Sequence, residues 1–330
     1  MKKALFILCV AACLTPYISA PAALALGIAV ALAGLATFEA GAKQYSKLLI
    51  QVSIVLLGFS IELSTVVKAG VGGLGFAAGA IILVFALGAL LQRTLKTDVR
   101  LSALLCAGTA ICGGSAIAAT SSVIGASSSA VAVATAVVFV LNAVGVYAYP
   151  AIGHALHLTQ EQFGAWAAVG IHDVAGVVAA GKQYGPVALE QATVIKLTRV
   201  LWIVPVALVM GWWVNRLEPA PPHAAKPKAP IPWFIVWFLA ASALRTFVPA
   251  LAEPRVWLEW TPAALSSGAA SLAESLRALG KVLLTVALFL IGTGLSRAAL
   301  ASVGWRPLLM GITLWLCVSA AALAAVMSLL

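Results

Sequence analysis

Gly108-Thr-Ala-Ile-Cys-Gly-Gly-Ser-Ala-Ile-Ala-Ala119 puts two adjacent glycines, a cysteine and two hydroxyls inside a segment otherwise apolar enough to lie in a membrane. In hydrocarbon every backbone N–H and C=O must find a partner. A helix is therefore interrupted at membrane depth only where the freed groups face protein, water or a bound ligand. A half-helix that starts at such a break presents several N–H donors and the positive end of its dipole, which suits an anion. The segment reads as an interrupted helix with a binding site at the break.

Composition supports the membrane setting. The 330 residues are 63% hydrophobic and 9% charged, with a mean hydropathy of +1.08, which no ordinary soluble domain shows. Apolar runs of roughly 20 residues recur between short polar joints, and 10 Trp and 28 Gly suit interfacial aromatics and close helix packing. The runs are continuous rather than alternating, which excludes a β-barrel. The formal charge of +10 is spread over the joints instead of forming a basic face, so it reads as topology and not as nucleic-acid binding. Cys9, Cys13, Cys106, Cys112 and Cys317 all fall in apolar segments without metal-ligand spacing. No redox role, metal or cofactor is expected. Lys2 and Lys3 before an apolar run resemble a signal peptide. Pro21 directly after the candidate cleavage site and the resumed apolar character favour an uncleaved first span over residues 1–20.

Runs bounded by charge, Gly or Pro predict helices near 4–19, 21–38, 47–66, 71–92, 101–124 (interrupted), 127–149, 163–181, 189–214, 231–250, 276–296 and 305–330, about 11 spans. Placing the N-terminus in the cytoplasm gathers Lys2, Lys3, Lys43, Lys47, Arg93, Lys96, Arg100, Arg216, Lys226, Lys228, Arg297 and Arg306 on the inner side. Lys68, Lys182 and Arg255 remain outside. Five prolines between Arg216 and Pro230 mark a stiff cytoplasmic linker. It divides an N-terminal membrane part, 1–215, from a C-terminal one, 231–330, which together make one transporter domain. Lys47–Gly58 also lies well on Lys281–Gly292, and the two copies cross in opposite directions under this topology, as in inverted-repeat carriers.

A second unusual segment, Val169-Gly-Ile-His-Asp-Val-Ala-Gly176 and the small residues that follow, puts His172 and Asp173 inside a span. Intramembrane ionisable groups are expensive and mark proton relays or substrate paths. This segment echoes the first about sixty residues earlier, so the two suit a crossed pair of interrupted helices, but the loop count has them running in the same direction; either one is re-entrant or the echo is not a true repeat. A third segment places Thr193, Lys196 and Arg199 on one helical face. Arg199 lies about 15 Å into its span, and the candidate partners are Asp173, Glu62, Glu190 or a bound anion. Each group also has a plainer reading: glycines for close packing, hydroxyls bonded to their own helix, His172 and Asp173 capping a half-helix, and the two cations as structural ion-pair members. Asn142, alone in an apolar helix, reads as an interhelical hydrogen bond.

The cysteine–glycine motif resembles the signature of the YeiH-like family of bacterial inner-membrane proteins, whose label is sulfate export. Ala130–Thr135 through Tyr149–Ile152, His172–Gly181, Val194–Val200, Ile231–Phe234 and Arg306–Met310 also look like blocks of that family in family order, and together they cover most of Lys47–Leu330. The resemblance implies a polytopic, all-α transporter, similar to the cation/proton antiporter and anion transporter superfamily, moving substrate by an elevator or rocking motion. The chain departs from the family pattern at Gly176, where Gln is frequent, and at Ser60, where an Arg is frequent.

The expected function is a secondary active transporter of a small anion such as sulfate, sulfite or an organosulfonate, coupled to protons or another ion. Its expected location is the bacterial inner membrane, with the N-terminus cytoplasmic and the homodimer left open. Thr109, Cys112, Gly113, Gly114, Ser115, Lys196 and Arg199 are the expected substrate contacts, with His172 as proton carrier and Asp173 as its orienting partner. The chief rival is a passive anion channel. An intramembrane enzyme lacks support, because no Gly-x-Ser-x-Gly, HExxH or paired intramembrane aspartates occur.

Overall fold

The computed structural model describes residues 2–15, 17–36, 39–59, 61–217, 233–247, 263–295, 297, 301 and 303–329. Among these residues the chain is all helix, with no strand. It is a polytopic membrane protein: Leu63–Leu95, Ser128–Ala155, Pro186–Val214, Glu274–Thr293 and Trp305–Ser328 are each long and apolar enough to cross a bilayer. Large apolar side chains such as Ile7, Leu8, Ile82, Leu90 and Val209 point outward, as a lipid-facing surface requires.

Two compact units form, one from Met1–Gly70 with Pro232–Gly294, the other from Val71–Ile231 with Leu295–Leu330. Each draws on both sides of the 216–230 joint, of which residues 218–230 lie outside the described residues, as does Ser60.

The first unit contains α1 (Lys2–Cys13), α2 (Ala20–Leu32), α3 (Glu39–Gly58), α12 (Trp233–Phe247), α13 (Ala263–Thr293) and the opening turns of α4 (Leu63–Leu95). Ser19 accepts the Ala22 N–H and Pro21 sits in the first turn, which starts α2. Small residues set the helix spacing. A Cβ on Gly292 would lie 2.5 Å from the Leu24 carbonyl oxygen and 2.8 Å from Ile28 N, so α2 and α13 meet backbone to backbone. Ser53 donates to the Gly280 carbonyl at 2.6 Å, joining α3 to α13, the two helices that carry the Lys47–Gly58 and Lys281–Gly292 likeness. Ser242 of α12 donates to the Ile61 carbonyl at 2.7 Å, and Thr246 accepts the Leu63 N–H at 2.8 Å, so α12 caps the joint between α3 and α4.

The second unit holds the rest of α4, then α5 (Val99–Ala110), α6 (Gly114–Ile124), α7 (Ser128–Ala155), α8 (Gln160–Gly170), α9 (Val174–Tyr184), α10 (Pro186–Leu201), α11 (Ile203–Leu217) and α14 (Trp305–Leu329). Here the structure differs from the sequence reading of 101–124 and 163–181 as spans. The two helices of each pair are 11 or 12 residues long, about 18 Å or less. That is little more than half of a hydrocarbon core of about 30 Å. Each pair folds back on itself. Phe163 at the start of α8 stacks on Tyr184 at the end of α9, with ring centroids 3.8 Å apart and planes at 3°. Helix α10 confirms the reversal. Gly164 of α8 lies against Ala188 and Gln191, and Ala168 and Ile171 lie against Lys196, so α8 advances with α10, while Gly181 of α9 lies against Leu189. In the first pair the Ile117 side chain reaches Gly108, 3.0 Å from where a Cβ would stand, a contact that two coaxial half-helices cannot make.

The two hairpins enter from opposite ends of the unit. Along α14, Met310 sits beside Thr97 at the mouth of the first hairpin, Trp315 reaches the tip of the second, and Ser319 lies beside Trp166 within the body of the second. Along α7, Val138 and Phe139 meet Gly113 and Gly114, Asn142 meets Asp173, and Gly153 meets Phe163 and Tyr184. The tips therefore meet near the midpoint of a 28-residue helix that crosses the bilayer once. This bears on the directional conflict in the sequence reading, because each pair is a hairpin and the two hairpins open at opposite ends of α7.

Candidate functional site at the hairpin tips

Polar residues cap the helices that start at the membrane ends of this unit. Asp98 accepts the Leu101 N–H at 2.8 Å to begin α5, Ser127 accepts from Ala130 to begin α7, and Thr159 with Gln162 forms a capping box at α8. The helix ends that meet in the interior lie among buried residues, and side chains of the protein supply several of their partners.

Two cations serve the C-terminal ends. Lys196 Nζ donates to the carbonyls of Ile171 at 2.6 Å and Ala168 at 3.2 Å. Arg199 donates through Nη1 to Ala168 O at 3.2 Å and through Nη2 to the Ala110 carbonyl, tying the end of α8 to the end of α5. Trp315 Nε1 donates to Gly170 O at 2.8 Å. Both cationic side chains are 0% exposed. Last-turn carbonyls carry the negative end of the helix dipole and so stabilise a buried ammonium and guanidinium there, and the Asp173 carboxylate stands near enough to Lys196 to add its charge. The hydrogen bonds of these donors go to backbone carbonyls rather than to the Asp173 carboxylate.

Asp173 caps the start of α9, its Oδ2 accepting from Ala175 N at 3.2 Å. Its own N–H donates to Asn142 Oδ1 at 2.9 Å. The carboxylate is thus turned toward the helix rather than toward His172. The imidazole is 1% exposed, and neither of its nitrogens has a partner.

The start of α6 is different. Gly113 is its N-cap at φ 66°, a left-handed conformation that glycine takes without strain, and it offers no side chain to the helix. The Cys112 thiol, itself buried, bonds to the Ala116 N–H. The N–H groups of Gly114 and Ser115 point off the end of the helix with no intrahelical acceptor. Gly114 is partly accessible and Ser115 exposed. Thr109, 2% exposed, has a hydroxyl with no partner. Gly113 faces the second tip: a Cβ there would be 3.6 Å from both His172 Cβ and the His172 carbonyl oxygen.

All nine expected residues thus belong to the two tips or to the face of α10 behind them. Asn142, Trp315 and Tyr149 complete the setting. Tyr149 packs on Trp166 with centroids 4.2 Å apart, and its hydroxyl, bonded to Ser319, occupies the place a side chain at Gly170 would need. Asn142 carried a sequence signal as a lone polar residue in an apolar helix, whereas Trp315 and Tyr149 carried none. Gly176 abuts Asn142, since a Cβ there would stand 2.6 Å from Oδ1, so the amide of α7 fills the space next to this position. Among the described residues no group of three His, Cys, Asp or Glu side chains is arranged to hold a metal ion.

The family model described as conserved hypothetical protein 698 matches residues 4–311. A UPF0324 membrane protein of Bdellovibrio bacteriovorus is 39% identical over 315 residues, covering 96% of this chain and 91% of the relative. UPF0324 membrane proteins of Vibrio parahaemolyticus (38% identical, 94% of each chain) and Bacteroides thetaiotaomicron (37% identical, 93% of this chain and 86% of the relative) are similar along nearly the same length. No solved structure matches the chain.

Proposed function

We propose a transport function for this chain, which belongs to the UPF0324 family of membrane proteins. It is a secondary active transporter of a small anion such as sulfate, sulfite or an organosulfonate, working by alternating access in the bacterial inner membrane with its N-terminus in the cytoplasm. One observation carries this reading. Of the four helix ends that meet at the tips, those of α5, α8 and α9 engage the Arg199, Lys196 and Asp173 side chains, while the N-terminus of α6 has a glycine cap with no side-chain bond and only the Cys112 thiol on Ala116 N, leaving the Gly114 and Ser115 N–H groups open. In a membrane such an end requires a partner, and the donors and dipole there select a negative one.

Charge supports the same reading. Lys196 and Arg199 stand behind the tips, against which the tips themselves supply one carboxylate, Asp173. The cations act mainly through their field, since carbonyls engage Lys196 Nζ and both Arg199 Nη atoms, while Arg199 Nε has no partner. Gly114 N, Ser115 N and Oγ, and the unpartnered Thr109 hydroxyl supply the contacts. Several convergent donors are needed, because an oxyanion entering the membrane gives up hydration that no single hydrogen bond replaces. His172, with free nitrogens beside the first tip, is the proton carrier of this account. Hairpins opening on opposite faces provide one gate to each side. No enzymatic step is part of the reading.

The test is thermal stabilisation of the purified protein by sulfate, sulfite, thiosulfate, taurine, simple carboxylates and chloride at two pH values. A selective shift by one oxyanion, lost in Ser115→Ala, is expected. No shift with any anion would contradict the proposal. Saturating, proton-dependent flux in proteoliposomes separates a carrier from a passive channel, whose flux ignores the proton gradient.

A further inference from the structure

We infer that Lys196 is the resident monovalent cation of the hairpin tips, standing on the carbonyls with which a sodium-coupled carrier would hold its Na+. The protein therefore needs no sodium and acquires a sodium site when Lys196 is shortened. Its flux consequence rests on the transport function proposed above; its binding consequence does not.

Unwound carbonyls and half-helix C-terminal ends at membrane mid-depth are the groups that coordinate coupling cations in carriers built from broken helices. In this protein those groups are present and occupied. The Ile171 and Ala168 carbonyls converge on Lys196 Nζ at 2.6 and 3.2 Å, and Arg199 takes the Ala110 carbonyl and shares that of Ala168. An ammonium is a compact point charge with three donors, close in charge and hydration to an alkali ion. Tethered at 0% exposure, it needs no binding from solution. A free cation arriving at the same place would meet two fixed positive charges and carbonyls already engaged. The charged and titratable side chains around Nζ are Arg199 on the same helix, His172 and Asp173 at the second tip, and Cys112 at the first. Asp173 uses its Oδ2 at the start of α9.

The experiment measures melting of the full-length protein in sodium chloride against choline chloride at equal concentration, which holds the anion constant. For wild type the two curves should coincide. In Lys196→Ala, sodium should raise the melting temperature by about 2–4 °C once it exceeds its Kd about fivefold, while Lys196→Met, which fills the space without charge, should show no sodium effect. A Lys196→Ala protein recoverable only in sodium buffer gives the same answer. Sodium-dependent melting of wild type overturns the inference, as does a sodium-indifferent Lys196→Ala. If that variant cannot be purified in either buffer, the wild-type comparison decides alone. Anion flux by wild type should be equal, within about twofold, with and without sodium, and flux that requires sodium overturns the inference. Absence of flux in both buffers, with the melting results as expected, counts against the transport function and leaves the resident cation standing.

Discussion

The side-chain oxygen of Asn142 accepts the backbone N–H of Asp173 at 2.9 Å, which pins the tip of the second hairpin to the midpoint of α7. Asn142 is 1% exposed, so the bond forms away from solvent. Asn142→Ala leaves a buried N–H bare and should destabilise the protein by about 1–3 kcal/mol. Asn142→Asp keeps an acceptor and should recover much of that loss. Melting curves of the two variants check the expectation; equal stability of Asn142→Ala and wild type would mean the bond does not anchor the tip.

Adjacent glycines at the first tip should respond unequally. Gly113 sits at φ 66° with Val138 3.2 Å from a built Cβ, while Gly114 has an ordinary helical backbone and its nearest neighbour, Phe139, at 3.5 Å. Gly113→Ala should cost about 1–3 kcal/mol from backbone strain, whereas Gly114→Ala should fold normally and weaken anion binding by crowding the open end of α6. Stability and ligand-induced melting shifts, measured side by side, separate the two.

Lys196 and Arg199 share the Ala168 carbonyl, so their removal should be non-additive. In sodium-free buffer each alanine variant leaves one carbonyl without a donor, that of Ile171 or Ala110. The double variant also strips Ala168 and should lose about 1–3 kcal/mol more than the sum of the singles. A double-mutant cycle on urea or thermal unfolding gives the coupling energy, and simple additivity would show that the two cations act on separate tips.

His172→Gln keeps a polar group of similar size at the tip and removes the titration. Flux down an anion gradient should persist, while accumulation driven by a pH gradient should vanish. Unchanged pH-driven uptake would remove His172 as the proton carrier.

Much of the site was legible in the sequence, and much of the topology around it was not. Gly113–Gly114, His172–Asp173 and Lys196–Arg199 stand out because glycine pairs and charges are costly in hydrocarbon, and each does lie at the tips or behind them. The fold-back of α5 on α6 and of α8 on α9 left no such trace. Two apolar half-helices of 11 or 12 residues joined by a three-residue break have the length and hydropathy of a single span, and the direction taken after the break depends on packing against α7 and α10. The partners of Lys196 and Arg199 were equally hidden, because backbone carbonyls leave no mark on residue identity. The division into units taken from Met1–Gly70 with Pro232–Gly294 and from Val71–Ile231 with Leu295–Leu330 interleaves the chain, which no local composition shift announces.

Site, gating and topology all depend on the two hairpins being re-entrant from opposite faces, and cysteine accessibility to a membrane-impermeant reagent measures this directly. In a background with Cys9 and Cys317 replaced by serine, single cysteines go in place of Asp98 and Ser127, which flank the first hairpin, and of His157 and Val187, which flank the second. Positions 98 and 127 should label from one side of the membrane, and 157 and 187 both from the other. Labelling of 98 and 127 from opposite sides, or of 157 and 187 from opposite sides, would mean that these segments cross the bilayer, and would contradict the account.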